Sequence, residues 1–356
     1  MLENWLKAGT VGVKTTQTWQ LGKNILLFQK SFPDLKGVKV ALIGTGKEVD
    51  VVRKYLYTLA YTFSGLPIAD IGNLRNENDT SLLPVVRELL ENQIIPVVIS
   101  HKAAPFAAQF KAYQKKKTRV NVTVIDEATP CHSTDSNYLA QIRKSKVPRL
   151  FNLGLIGYQT HLTPPDTLHF FRKKNYDLVR LGIAKQDLGQ IEPTIRGADT
   201  IYLNLSALKQ SEAPGRWHNT PNGFSAEEAC QLCFYSGMSD RLSSFGIYGY
   251  RQEIDRNFQT AQLIAHMIWY LLDGIYNRKK DFPVSTDGMI EYIVSFKDYE
   301  HNATFWKSTR SGRWWIQIDT RKEGQYELIP CSYEDYKLAC KDQLSERILN
   351  VFERYL

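Results

Sequence analysis

The stretch that decides the fold is residues 202–223, YLNLSALKQSEAPGRWHNTPNG. It begins as an apolar strand and continues into a loop that contains Ala-Pro-Gly at 213–215 and Thr-Pro-Asn-Gly at 220–223. Proline and glycine at such positions are typical of tight turns. Asn204 and Ser206 fall where the predicted strand ends. In a parallel sheet, functional side chains collect at this end of the strands.

Strand and helix patterns alternate on both sides of this stretch. Each short run rich in Val and Ile is followed by a helical pattern, which predicts an α/β fold with a mostly parallel sheet covered on both faces. The segment around Asp70 is predicted as a turn. His101 and Asp126 follow predicted strands. The strands are predicted at 38–43, 94–100, 121–125, 149–155, 177–181, 200–205 and 244–248, and the helices at 48–64, 82–92, 103–113, 225–235 and 257–275.

The pattern changes near residue 282. Alternating strand patterns at 289–296, 303–307 and 314–319 precede a charged helical segment that starts near Ser332. Ser332 is predicted to cap a helix, with Asp335 at its third position. We therefore predict an α/β core over residues 1–281 and a small C-terminal α+β appendage over residues 282–356.

Composition excludes several classes of protein. The chain has 356 residues, of which 43% are hydrophobic, so it can bury a core and is not a disordered tail. The net charge of +8 permits an acidic partner but does not require nucleic acid. Five cysteines, an odd number, argue against a disulfide scaffold and favour a reducing, cytoplasmic location. No apolar stretch approaches the ~20 residues of a membrane span, and no secretory signal pattern is present.

Residues 35–280 resemble the ureohydrolase family, which includes arginase, agmatinase and formiminoglutamase. The match rests on Ala-Pro-Gly at 213–215, on Thr-Pro-Asn-Gly at 220–223, and on Asp255 followed by Thr260-Ala261. The resemblance implies a three-layer α/β/α sandwich and a trimer or hexamer. It also implies two Mn²⁺ ions that activate a bridging hydroxide for attack on a guanidinium or amidine carbon.

Most metal-ligand positions that the resemblance implies carry unsuitable residues. In chain order these positions are His101, Asp126, Ala128, Pro130, Asn204 and Ser206. His101 and Asp126 alone offer the hard, charged or imidazole donors that manganese sites use. We therefore predict that the binuclear site is absent and that the protein holds no metal cofactor. Manganese remains the alternative, with His101 and Asp126 as the candidate ligands.

Other positions of the implied cleft have changed their charge. An acidic residue of the family becomes Lys209, and the Glu that contacts the substrate falls on Gly249. Arg251 takes the place of an uncharged residue, whereas Asp255 is kept. This reversal of charge predicts that the cleft favours a small anionic ligand.

A single remodelled metal site is another alternative. Asp126, Glu127, His132 and Asp135 lie close in sequence, and His101 could join them in space. Three such donors suffice for one metal ion. The simpler interpretation is a loop of ordinary polar residues in which Asp126 is bonded to backbone amides.

The appendage is aromatic and basic. Trp306, Arg313, Trp314 and Trp315 are residues of the types that anchor protein interfaces. Two alternatives remain open: packing of the appendage against the core, or stacking on single-stranded nucleic acid.

Together these observations predict a ureohydrolase-like protein that has lost manganese catalysis. It would act as a binding, scaffold or regulatory protein, with a protein partner or a second copy of itself. The alternative is a metal-dependent hydrolase of C–N bonds in a guanidino or amidino compound, with a remodelled site. We expect neither a nucleic-acid partner nor a membrane span.

Overall fold

The computed structural model describes residues 2–10, 17–76, 78–115, 119–129, 138–146, 149–296, 302–320 and 324–355. Within these ranges, ten strands form one large sheet: β1 (Leu6–Lys7), β2 (Leu26–Leu27), β3 (Val40–Gly44), β4 (Ile68–Leu74), β5 (Ile95–Ser100), β6 (Arg119–Ile125), β7 (Arg149–Tyr158), β8 (Asp177–Arg180), β9 (Thr200–Asn204) and β10 (Ser244–Tyr248). Their order is β1-β4-β3-β5-β10-β9-β6-β7-β8, with β2 beside β4. Only β1 runs antiparallel to its neighbour among the described strands. The predicted, mostly parallel sheet is confirmed.

Helices cover both faces of this sheet. They are α1 (Leu21–Asn24), α2 (Asp50–Leu56), α3 (Leu82–Glu91), α4 (Pro105–Lys111), α5 (Tyr138–Lys144), α6 (Pro165–Lys173), α7 (Leu181–Gln186), α8 (Glu192–Arg196), α9 (Ala226–Met238) and α10 (Gln259–Tyr276). Successive strand side chains point to opposite faces. Val40 and Leu42 of β3 accordingly pack with α2, α9 and α10, while Ala41 and Ile43 pack with α3 and α4. These two apolar cores confirm the three-layer sandwich.

A second, smaller sheet follows the core. Its strands, β11 (Met289–Ser295), β12 (Asn302–Ser308), β13 (Trp314–Asp319) and β14 (Tyr326–Cys331), are antiparallel and lie in chain order. Two helices, α11 (Tyr333–Ala339) and α12 (Glu346–Tyr355), complete this part. The Ser332 hydroxyl accepts a hydrogen bond from the Asp335 amide and the Asp335 carboxylate accepts one from the Ser332 amide, which confirms the predicted helix cap.

One buried arginine joins the two parts. Arg196, at the end of α8, is 3% exposed, and its guanidinium lies 4.4 Å over the ring of Trp315. It donates hydrogen bonds to the carbonyl oxygens of Trp314 and Cys331, both at 3.1 Å. Its Nε also lies 2.9 Å from Glu192. The small sheet therefore contacts the core through a paired, buried charge.

Three local predictions need correction. The helix predicted over 48–64 ends at Leu56, because the chain beyond it bonds to the backbone near residue 21. The helix predicted from 257 begins at Gln259, since Asn257 and Phe258 have positive φ angles of 54° and 55°. The turn predicted around Asp70 is wrong: Asp70 lies in β4 and is 2% exposed. No helix in the described ranges is long and apolar enough to cross a membrane.

Candidate functional site

Four adjacent strands bring the predicted site positions to one edge of the large sheet. β5, β10, β9 and β6 are neighbours and run parallel, so their C-terminal ends lie together. His101 follows β5, Asp126 follows β6, Asn204 ends β9, and Gly249 follows β10. This is the edge at which parallel α/β sheets place their functional residues.

Asp126 is the centre of a buried hydrogen-bond network. Its side chain is 3% exposed. Oδ1 accepts hydrogen bonds from the Ser206 hydroxyl at 2.5 Å and from the backbone amide of Glu127 at 2.8 Å. Oδ2 accepts one from Asn204 Nδ2 at 3.1 Å. Both carboxylate oxygens are therefore engaged by groups of the protein itself.

Burial changes the acidity of Asp126. Loss of hydration raises the pKa of its carboxyl to about 7, and the nearby charge of Glu127 adds to the rise. The hydrogen bonds from Ser206, Asn204 and the Glu127 amide act in the opposite direction, because they favour the ionised form. The carboxyl consequently exchanges its proton near neutral pH.

A buried guanidinium lies beside this network. Arg216 is 0% exposed and donates hydrogen bonds to the carbonyl oxygens of Ser206 at 2.8 Å and Thr220 at 2.7 Å. The Thr220 hydroxyl lies 2.9 Å from a carboxylate oxygen of Glu127 and donates to it. Burial lowers the pKa of Arg216, and the charges of Glu127 and Asp126 oppose that fall. This edge of the sheet thus contains a buried cation close to the side chains of Glu127 and Asp126.

Gly249 fits this edge only because it has no side chain. Its φ angle is +87°, a conformation that residues with a Cβ atom rarely adopt. A Cβ atom built there would lie 2.6 Å from Oδ1 of Asn204. The position that the resemblance assigns to a substrate-binding Glu is therefore closed to side chains while Asn204 keeps its place.

His101 has different neighbours. Its Nδ1 lies 3.9 Å from Oε2 of Glu48, and its carbonyl oxygen accepts a 3.1 Å hydrogen bond from the indole of Trp217. The guanidinium of Arg251 stacks 3.6 Å over the same indole. No hydrogen bond or ion pair between described residues joins His101 to Asp126. The two candidate metal ligands thus belong to separate clusters.

Asp255 supports the fold at this edge. Its carboxylate accepts hydrogen bonds from the amides of Thr260 at 2.9 Å and Ala261 at 3.0 Å, and from the Tyr250 hydroxyl at 3.1 Å. These bonds satisfy the free amides at the start of α10. Lys209 is half-buried and its backbone amide pairs with the carbonyl of Phe224.

Comparisons with known proteins identify the architecture. No protein-family model and no curated protein matches the chain. A solved structure of Trypanosoma cruzi formiminoglutamase with Mn²⁺ is similar with a TM-score of 0.63 and 15% identity, over 73% of this chain and 99% of that chain. The fold is that of formiminoglutamase and arginase.

Two further solved structures agree with this assignment. Bacillus subtilis formimidoylglutamase is similar with a TM-score of 0.63 and 14% identity, over 78% of this chain and 98% of that one. Bacillus subtilis arginase is similar with a TM-score of 0.55 and 16% identity, over 66% of this chain and 98% of that one. The predicted resemblance is confirmed at the level of the arginase-like fold, which is what such identities establish.

The described residues at this edge of the arginase-like fold do not suit a pair of divalent ions. In the described ranges, no three His, Cys, Asp or Glu side chains are grouped so that they could hold a metal. Asp126 is engaged through both oxygens, Asn204 offers it an amide N–H, and Ala128 has no donor atom. Pro130, His132 and Asp135 lie outside the described residues.

The aromatic and basic residues of the appendage mostly face inward. Trp314 and Trp315 are 6% and 1% exposed, and Trp314 stacks on Tyr336 with ring centroids 4.7 Å apart. Arg313 pairs with Glu192 of the core at 3.3 Å. Trp306 is half-buried, and its indole donates to Gln317 at 3.1 Å. These placements favour packing of the appendage over an exposed binding surface for Trp314 and Trp315.

Sequence analysis missed Arg216. The residue follows Ala-Pro-Gly directly, and a loop arginine is ordinarily expected in solvent. Its position directly after the retained Ala-Pro-Gly motif, ten residues after Ser206, was the available signal.

Proposed function

We propose that this arginase-like protein has lost binuclear manganese catalysis and acts as a binding or regulatory protein. The observation that carries the proposal is the engagement of both carboxylate oxygens of Asp126 by donors of the protein itself. Ser206, Asn204 and a backbone amide occupy its carboxylate at 2.5–3.1 Å. A metal ion would have to displace these donors, and the Ser206 hydroxyl and the Glu127 amide would then be buried without a partner at a cost of about 1–3 kcal/mol each. Asn204 would keep its hydrogen bond to the Tyr202 hydroxyl at 3.0 Å.

Charge supports the same conclusion. Arg216 already supplies a positive charge to the buried carboxylates of Asp126 and Glu127. Two divalent ions would bring four further positive charges next to this guanidinium in a poorly hydrated place. Like charges repel strongly under those conditions. The arginine therefore opposes the metals instead of assisting them.

The substrate side of the site supports it as well. Position 249, where the resemblance implies a Glu for the guanidinium or amidine group, is a glycine whose Cβ position is blocked by Asn204. Lys209 adds a cation where the resemblance implies a carboxylate. A cationic substrate would therefore lack both the metal ions and a carboxylate that could pair with its positive charge.

We propose that its binding partner is another protein or a second copy of this chain. We propose that residues 1–281 and 282–356 are its two structural parts. The odd number of cysteines supports a cytoplasmic location.

Metal analysis tests the proposal. The full chain is produced with excess Mn²⁺, dialysed, and assayed for metal by mass spectrometry and for hydrolysis of arginine, agmatine and formiminoglutamate. We expect bound manganese far below one ion per chain and no turnover. Asp126→Asn and the exposed Asp166→Asn serve as a matched pair of variants. Two tightly held ions per chain, or turnover lost in Asp126→Asn but kept in Asp166→Asn, would overturn the proposal in favour of a hydrolase with a remodelled site.

A further inference from the structure

A basic cavity lies at the opposite edge of the sheet from the candidate site. It has a volume of about 690 Å³ and is formed where β7 and β8 begin and where α5, α6 and α12 end. Its cationic lining residues are Arg143, Lys146, Arg149, Lys173, Lys174 and Arg354. Glu353 is the single carboxylate among the described residues that line it.

The positive charge of this basic cavity is largely uncompensated. Arg354 pairs with Asp177 at 3.1 Å, whereas the other five cations form no ion pair within the described part of the chain. Three helix C-termini converge here, and each contributes roughly half a negative charge. Six full positive charges outweigh three half negative charges and the carboxylates of Glu353 and Asp177. The cavity is therefore an attractive place for an anion.

An aromatic ring holds one of the guanidinium groups, that of Arg143, in position. Arg143 lies 3.6 Å over the ring of Phe170, and Phe170 contacts Tyr176 with ring centroids 5.9 Å apart. Burial raises the pKa of Tyr176, and the positive charges of Arg149, Arg354 and Arg143 oppose this rise, so three guanidinia surround one phenol. Stacked arginines lose little freedom when they bind a ligand, which favours recognition of phosphate oxygens.

We propose that the basic cavity binds a small compound that carries two or more phosphate groups. Several cations that converge on one concave site match a compact polyanion. Single-stranded nucleic acid instead uses aromatic faces as stacking platforms. Here the face of Phe170 is covered by Arg143, and Arg119 lies 4.8 Å over Phe151. This inference does not depend on whether the other edge of the sheet holds metal.

Calorimetric titration of the full chain at constant ionic strength tests the proposal. The two probes are inorganic tripolyphosphate, which represents a free polyphosphate ligand, and a sugar bisphosphate, which represents a phosphate ester. Binding of either probe supports the proposed phosphate site. In Arg143→Gln/Arg149→Gln we expect about tenfold weaker binding, which is about threefold for each guanidinium charge removed. Arg172→Gln is the control, because Arg172 is exposed on α6, one of the helices that form the cavity, but does not line the cavity.

Three results would overturn the proposal: no binding of either probe at millimolar concentration, equal weakening in the double variant and in Arg172→Gln, or tighter binding of a single-stranded oligonucleotide at the same salt. If the double variant unfolds, Lys174→Gln replaces it. Lys174 is exposed at the end of α6, so its loss changes charge with little effect on packing. We expect binding to be about threefold weaker in Lys174→Gln and unchanged in Arg172→Gln.

Discussion

Asp126 should make the stability of this protein depend on pH. In the folded protein its carboxyl keeps a proton up to about pH 7, because burial raises its pKa. In the unfolded chain the same group loses its proton near pH 4, as ordinary aspartates do. Between these values the folded state binds more protons than the unfolded state. The free energy of unfolding therefore falls as the pH rises through this window.

The size of the effect follows from the two pKa values. From pH 5 to pH 8 the contribution of Asp126 changes by on the order of 3 kcal/mol, since each pKa unit corresponds to about 1.4 kcal/mol. In Asp126→Asn this contribution is absent, because an amide has no proton to lose in this range. The difference in stability between the wild type and the variant should thus shift by the same amount, in favour of the variant at high pH.

Urea denaturation of both proteins at pH 5, 6, 7 and 8, with a chelator present, measures this difference directly. The chelator is needed because a bound divalent ion would hold Asp126 ionised and remove the effect. Asp166→Asn is the control, since Asp166 is exposed and its curve should stay parallel to that of the wild type. A difference between wild type and Asp126→Asn that is constant to within about 1 kcal/mol over the whole range would refute the reasoning.

Two further substitutions test the packing of the fold by thermal and chemical unfolding. Gly249→Ala should lower the free energy of unfolding by at least about 1 kcal/mol more than Gly312→Ala does. Both glycines have a positive φ, but of the two only Gly249 has a neighbouring atom, Oδ1 of Asn204, where a Cβ would lie. Equal losses in the two variants would contradict the predicted collision. Arg196→Met should lower stability by about 3–5 kcal/mol, because it removes the cation that stacks over Trp315 and bonds two buried carbonyls. A loss no larger than the ~0.5 kcal/mol typical of an exposed site would show that the contact between the two parts does not depend on this charge.

The strand-rich core could be predicted from sequence because its strands are short apolar runs. The two-residue strands β1 and β2 and the longer β4 were not predicted. β4 contains Asp70, Gly72 and Asn73, whose residue types are typical of turns. It is buried because the guanidinium of Arg53 bonds both oxygens of Asp70, at 2.8 and 3.0 Å. The partner lies on a helix, 17 residues before Asp70. A pattern of single residues cannot show such a pairing, because it exists only in the folded chain.

The candidate site was also predicted only in part. The strand ends gave Asp126, Asn204 and Ser206, which the structure brings into one network. The interpretation of Asp126 as bonded to backbone amides is supported by its contact with the Glu127 amide. The burial of Arg216 was not predicted, because it depends on how the connection between β9 and α9 folds back and brings the carbonyl groups of Ser206 and Thr220 to the guanidinium.

The contact between Gly249 and Asn204 limits which substitutions this edge of the sheet accepts. A glutamate at position 249 alone would drive its Cβ into the Asn204 side chain. An aspartate at position 204 alone would place a carboxylate oxygen about where Asn204 Nδ2 now donates to Asp126 at 3.1 Å, with no metal between them. The aspartate would not relieve the collision at 249 either, because it keeps an oxygen where Asn204 Oδ1 now lies, so the two positions resist change both singly and together.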